Sequence, residues 1–137
     1  AEKFSDIDHA YRSERLAISF DIEGMNALGG DINMVEVYHT LGVRQMLFAY
    51  NLNNLAAGGC HDVDIALTEF GIDILTEMNR VGMLVDASHT SYRTSMDLIE
   101  RSKTPVVFSH SNPTSVWQHQ RNIKDEQIKA CAAKVAL

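Results

Sequence analysis

Three side chains in this sequence of 137 residues are of the types that hold divalent metals, and each closes a short run rich in apolar residues. His89 ends Leu84-Val85-Asp86-Ala87-Ser88, His110 ends Val106-Val107-Phe108-Ser109, and Glu23 ends Ile18-Ser19-Phe20-Asp21-Ile22. Imidazole nitrogen and carboxylate oxygen are good ligands for zinc and related ions. Parallel strands bring the residues at their carboxyl ends to one place, where the ligand sites of such sheets lie. Glu23, His89 and His110 are therefore the candidate metal ligands. Tyr50 also stands at a predicted strand end. Asp86 lies just inside one, where it either orients a ligand or serves as a turn or helix-capping carboxylate. His9, His39, His61 and His119 have no such placement and are expected on the surface or in loops.

The elements that must position these groups alternate along the chain. Ala17 to Ile22, Met46 to Tyr50, Met83 to Asp86 and Val106 to Ser109 are predicted strands. Between them, Asp31 is expected to cap a helix carrying Met34, Val35, Tyr38 and Leu41 on one face, with Gly42 as its stop. After a long polar loop from Asn51 to Leu67, Thr68 opens a second helix with Phe70, Ile74, Leu75 and Met78, stopped by Gly82. Thr90 or Ser91 caps a third, and Asp125 starts a last one. Residues 2 to 15 suit a surface helix or lead-in segment. The repeated β-α-β pattern implies an α/β fold with a parallel sheet and right-handed crossovers. Its unit length fits part of a (β/α)8 TIM barrel, about four βα units, treated as one partial domain over residues 1–137. A doubly wound sheet is the competing architecture, but no Gly-x-Gly-x-x-Gly follows a strand; Gly29-Gly30 and Gly58-Gly59 are lone pairs.

Composition narrows the function. Hydrophobic residues are 45% and charged residues 22%, as in ordinary globular chains, and the net charge of −6 argues against nucleic acid or anionic membrane as partner. No apolar run approaches the ~18 residues of a membrane span. The start of the chain lacks a basic segment followed by an apolar one, so a cytoplasmic location is expected. Cys60 and Cys131 are too few and too far apart for a disulfide framework, and free thiols are expected.

Several longer stretches carry a resemblance. Phe20-Asp21-Ile22-Glu23-Gly24, Thr40-Leu41-Gly42-Val43-Arg44, Glu77 through His89, Pro105 through Ser111 and Arg121-Asn122 together resemble the membrane (renal-type) dipeptidases. These are a branch of the amidohydrolase superfamily with a (β/α)8 barrel and a binuclear zinc site. The similarity runs from about Ala17 to Ala130, and the segment Tyr50-Asn51 through Gly58-Gly59-Cys60 looks most like bacterial members. It implies a zinc-dependent dipeptidase in which a hydroxide bridging two zinc ions attacks the peptide carbonyl. By position it makes Glu23 the bridging carboxylate and His89 and His110 ligands of the second zinc. It makes Arg121 the anchor of the substrate carboxylate, a task suited to a guanidinium fork. Tyr50 stands where mammalian members place a substrate-contacting histidine.

The resemblance also leaves gaps. The family's His-x-Asp pair, which holds the other zinc, occurs nowhere in this sequence. The late-barrel aspartate acting as acid/base is expected beyond Leu137, so no catalytic acid/base is identified within the chain. The expected picture is therefore about four of eight βα units of a longer enzyme, with one zinc site incomplete. Its exposed sheet edges would call for a homo-oligomer or another association to cover them. An amidohydrolase acting on another amide or a lactam, and a non-catalytic half-barrel assembly partner, are the alternatives.

Overall fold

The apolar runs condense into four strands that lie side by side in chain order. The computed structural model describes residues 1 and 3–135. Its elements are α1 (Phe4–Arg12), β1 (Phe20–Glu23), a 3₁₀ turn (Met25–Leu28), α2 (Met34–Thr40), β2 (Val43–Leu47), α3 (Glu69–Val81), β3 (Leu84–Asp86), α4 (Tyr92–Arg101), β4 (Val106–Val107) and α5 (Asp125–Val135). The sheet order is β1-β2-β3-β4 and every neighbouring pair is parallel. Consecutive parallel order is that of adjacent staves in a (β/α)8 barrel. A doubly wound sheet reverses direction at a switch point, and these strands do not. The protein is thus an α/β chain whose four strands form a segment of such a barrel.

The register brings the strand ends level. Glu23 pairs with Leu47, Leu47 with Asp86, and Asp86 with Val107. Paired residues share a face, so this row sets Glu23 and Asp86 on one side of the sheet. The other side carries Ile22, Met46, Val85 and Val106, which pack with Ile74 and Met78 of α3 and Leu98 of α4 in the main apolar core. Each fully buried side chain of this size contributes about 1.5–3 kcal/mol.

The helix boundaries follow local chemistry. The Thr68 hydroxyl accepts from Gly71 N at 3.0 Å, and Gly82 ends α3 at φ +82°, a conformation costly for residues with a Cβ. Ser91, one of the two candidates, caps α4 by accepting from Thr94 N; Thr90 instead donates to the Ala87 carbonyl. Asp125 starts α5 and α1 is an exposed helix with Ala10 as its buried residue, as expected.

Two predicted boundaries are corrected. β2 covers Val43–Leu47 rather than Met46 to Tyr50. Its polar residues hide it: Gln45 reaches across to Asp86, and Arg44 donates to the carbonyls of His39 and Val43. Phe48 and Ala49 are buried but have left the ladder. The N-cap of α2 is Asn33, not Asp31. Asp31 accepts from Asn33 N and Nδ2, both at 2.9 Å, in a turn that precedes the helix, and Leu41 ends up 70% exposed past its end.

Candidate metal centre

Glu23 ends β1, His89 follows β3 by three residues, and His110 follows β4 by three. Because the strand ends are level, these short extensions meet. One ligand atom from each residue lies within 4.8 Å of the others. His89 Nε2 is 2.9 Å from His110 Nε2, and Glu23 Oε1 is 3.6 Å from His110 Nε2. Two imidazoles and a carboxylate sharing one point form the donor set that zinc and similar ions take, so the residues present fit such an ion.

The two histidines are held from behind. His89 has φ +65°, uncommon for a residue with a side chain, and its neighbour across the site, Asn51, has φ +66°. The loop from Asn51 to His61 ties both down. Cys60 N donates to the His89 carbonyl at 2.9 Å and His61 N to the Asn51 carbonyl at 2.8 Å. Ser91 N donates to the Gly58 carbonyl, and Gly59 bridges to Thr90. A Cβ on Gly59 would sit 2.2 Å from the Asn51 backbone, so the close approach requires glycine there.

Asp86 is fully buried and accepts from Gln45 Nε2 at 2.7 Å, from Ser88 N at 2.8 Å and from the Ser109 hydroxyl in a short bond. Ser109 Oγ lies 2.7 Å from His110 Nδ1. Burial, then the nearby Arg121 and His110 charges, push the His89 pKa down to about 4, which keeps its ring neutral near pH 7.

Tyr50 stacks on His89 with ring centroids 4.6 Å apart. Arg121 lies across the loop that follows β4, donating to Ser111 Oγ at 2.9 Å and to the His110 carbonyl at 2.8 Å. These bonds use two of its five N–H donors. Burial lowers the Arg121 pKa, while Cys60, Asp86 and Glu23 favour its charge. Arg121, His89, Cys60 and Tyr92 line a cleft of about 460 Å³, within the size range of small-molecule sites.

The structure thus brings together all six residues singled out from the sequence: Glu23, Tyr50, Asp86, His89, His110 and Arg121. The remaining histidines lie outside the ligand cluster: His9 is on α1 and His39 on α2, while His61 meets His119, a residue lining the cleft, edge to face at 5.8 Å. Cys60 and Cys131 are free thiols, their pKa values raised by burial. Asn51, Ser109 and Gln45 were missed. The available signal was the repeated Ser-His pair, Ser88-His89 and Ser109-His110, at the ends of successive strands.

A family model for membrane dipeptidases, peptidase family M19, matches residues 1–136. The chain belongs to this family. Among relatives, a dipeptidase of Claviceps purpurea is 36% identical over 131 residues, covering 93% of this chain and 31% of that protein. An uncharacterized dipeptidase of Schizosaccharomyces pombe is 34% identical over 126 residues, covering 88% of this chain and 30% of that protein. An amidohydrolase of Pseudomonas aeruginosa superposes with a TM-score of 0.94 at 36% identity, over 98% of this chain and 41% of that one. A Rhodobacter sphaeroides metallopeptidase bound to a phosphinate mimic of L-Ala-D-Ala has the same fold, with a TM-score of 0.92 at 22% identity over 98% of this chain and 40% of that one. This M19 chain spans about a third of the length of its curated relatives.

Proposed function

We propose that this chain carries one half of the active site of a zinc-dependent dipeptidase. The observation that carries the reading is the convergence of Glu23, His89 and His110 beside the half-buried Arg121. Glu23, His89 and His110 would hold zinc, with Glu23 free to use both carboxylate oxygens as the bridge of a binuclear site. Bound zinc would supply Lewis acidity to a peptide carbonyl and make water acidic near neutral pH.

The chain's own residues add binding and orientation. Neutral His89 keeps its lone pair available at physiological pH. Arg121, braced by Ser111 and the His110 backbone, offers its remaining donors to a dipeptide carboxylate. Tyr50, lying flat on His89, positions a phenol O–H as a donor to charge that develops on a carbonyl oxygen. The ligands of the other zinc and the acid/base come, on this reading, from polypeptide outside these residues. So does the cover for the outer edges of β1 and β4, whether in the same chain or from a second copy. Among the described residues no helix is long and apolar enough to cross a membrane.

A second reading, hydrolysis of another amide or a lactam, is favoured by Tyr50 itself. A phenol cannot carry the positive charge of an imidazolium and therefore selects differently at the scissile bond.

Zinc titration of the purified chain tests the site. Near-stoichiometric zinc, lost in Glu23→Gln and His110→Ala, is expected; no bound zinc would overturn the proposal. A panel of L,L and L,D dipeptides, run beside amides and lactams on the enzyme with its site completed, with and without Arg121→Ala, tests the substrate. A drop in kcat/KM confined to substrates with a free carboxylate supports the anchor, and equal activity without the arginine refutes it.

A further inference from the structure

The hydrogen bonds behind the two histidines decide which nitrogen of each ring carries its proton. His89 Nδ1 is 2.7 Å from Asn51 Oδ1, and an amide oxygen can only accept, so Nδ1 is the protonated atom. For His110 the chain is one step longer. The Ser109 hydroxyl is bonded to Asp86, whose carboxylate also accepts from Gln45 and from Ser88 N. Asp86 acts as an acceptor towards Gln45 Nε2, Ser88 N and the Ser109 hydroxyl alike, so Ser109 donates its one hydrogen bond to Asp86 and has only lone pairs left to offer. The His110 Nδ1 at 2.7 Å is therefore also a donor.

Both rings are thus left with bare Nε2 lone pairs, and these face each other at 2.9 Å beside Glu23. Two lone pairs and a carboxylate at that spacing repel one another, and the hydrogen bonds behind the rings hold them there until a cation relieves the repulsion. The arrangement makes sense as a set of supports for a metal.

We propose that Asn51 and the Ser109–Asp86 pair are positioning residues of the site. They lock His89 and His110 in the Nδ1–H tautomer, so that both Nε2 lone pairs stay aimed at the point Glu23 shares. Asp86 acts at a distance through Ser109, while Gln45 and Ser88 hold Asp86 itself. Asn51 suits its place for a second reason: its left-handed backbone is one asparagine tolerates, and the short side chain then reaches His89. This inference rests on the metal-site reading, but the tautomers can be measured without any metal.

The experiment uses histidine labelled with ¹⁵N and long-range ¹H–¹⁵N correlation spectra of the metal-free protein. Nδ1–H signals for both His89 and His110 are expected. Ser109→Ala should release His110 alone, and Asn51→Gly, which keeps the positive φ without strain, should release His89 alone. Zinc affinity should fall about 10–100-fold in each, the usual effect of losing such a support. Ser109→Thr and Asn51→Asp keep an acceptor at the same place and should restore the tautomer and affinity to within a few-fold. An Nε2–H tautomer for either ring in the wild type would overturn the proposal, as would wild-type zinc affinity in Ser109→Ala and Asn51→Gly. If a variant does not fold, the wild-type spectrum decides. If the wild type binds no zinc, the proposed function fails, and the tautomers still decide the positioning on their own.

Discussion

The two faces of one four-stranded sheet do different work. On the helix side, Ile22, Met46, Val85 and Val106 meet α3 and α4 as apolar surface against apolar surface. On the other side the row through Glu23, Leu47, Asp86 and Val107 sets two carboxylates among apolar neighbours, and Asp86 is held by directed hydrogen bonds. The first face tolerates no change of volume, whereas the second tolerates little change of chemistry. Alternation within a strand keeps the two requirements apart, since neighbouring residues such as Val85 and Asp86 answer to different faces.

Substitutions on each side should separate these roles. The largest effect expected is on the face carrying Glu23: His110→Ala or Glu23→Gln should weaken zinc binding by more than ~100-fold, beyond what loss of a supporting residue does, with little change in unfolding midpoint. Calorimetric titration beside thermal unfolding would show both; a large fall in Tm would blur the division. On the helix face, Met78→Ala empties a fully buried position and should cost about 2–5 kcal/mol in urea unfolding while leaving zinc affinity within a few-fold of wild type.

A smaller effect depends on pH. The folded-state pKa of His89, about 4, lies below its ordinary 6.5, so protonation favours the unfolded chain. The stability that comes from keeping this ring neutral is fully present above pH 6.5 and is lost as pH falls from there towards 4. In metal-free protein, the decline in unfolding free energy over that window should be shallower in His89→Asn than in wild type. Smallest of all, Thr68→Ala removes the N-cap of α3 and should cost about 1 kcal/mol, again without moving zinc affinity.

Much of this is legible in the sequence. The α3 boundaries were plain because Thr68 and Gly82 act through their own backbone neighbours. The convergence of Glu23, His89 and His110 followed from their place at the ends of apolar runs. β2 was misplaced because Arg44 and Gln45 find polar partners elsewhere in the fold, and a local pattern cannot display those partners. Asn51 was overlooked for the same reason: its side chain bonds to a residue 38 positions away. Arg121 stood out only through family resemblance, since nothing nearby in sequence marks it as half-buried.

The backbone stitch between the Gly58–Cys60 segment and His89–Ser91 has one further consequence. His89 cannot swing away unless Cys60 N releases its carbonyl and the tight contact at Gly59 opens with it. The imidazole is therefore preorganised, and an arriving ion would not have to supply the ordering free energy of a loose ligand. Loss of the ligand geometry would then require the detachment of an entire loop, and exchange of the Cys60 amide proton would report its rate.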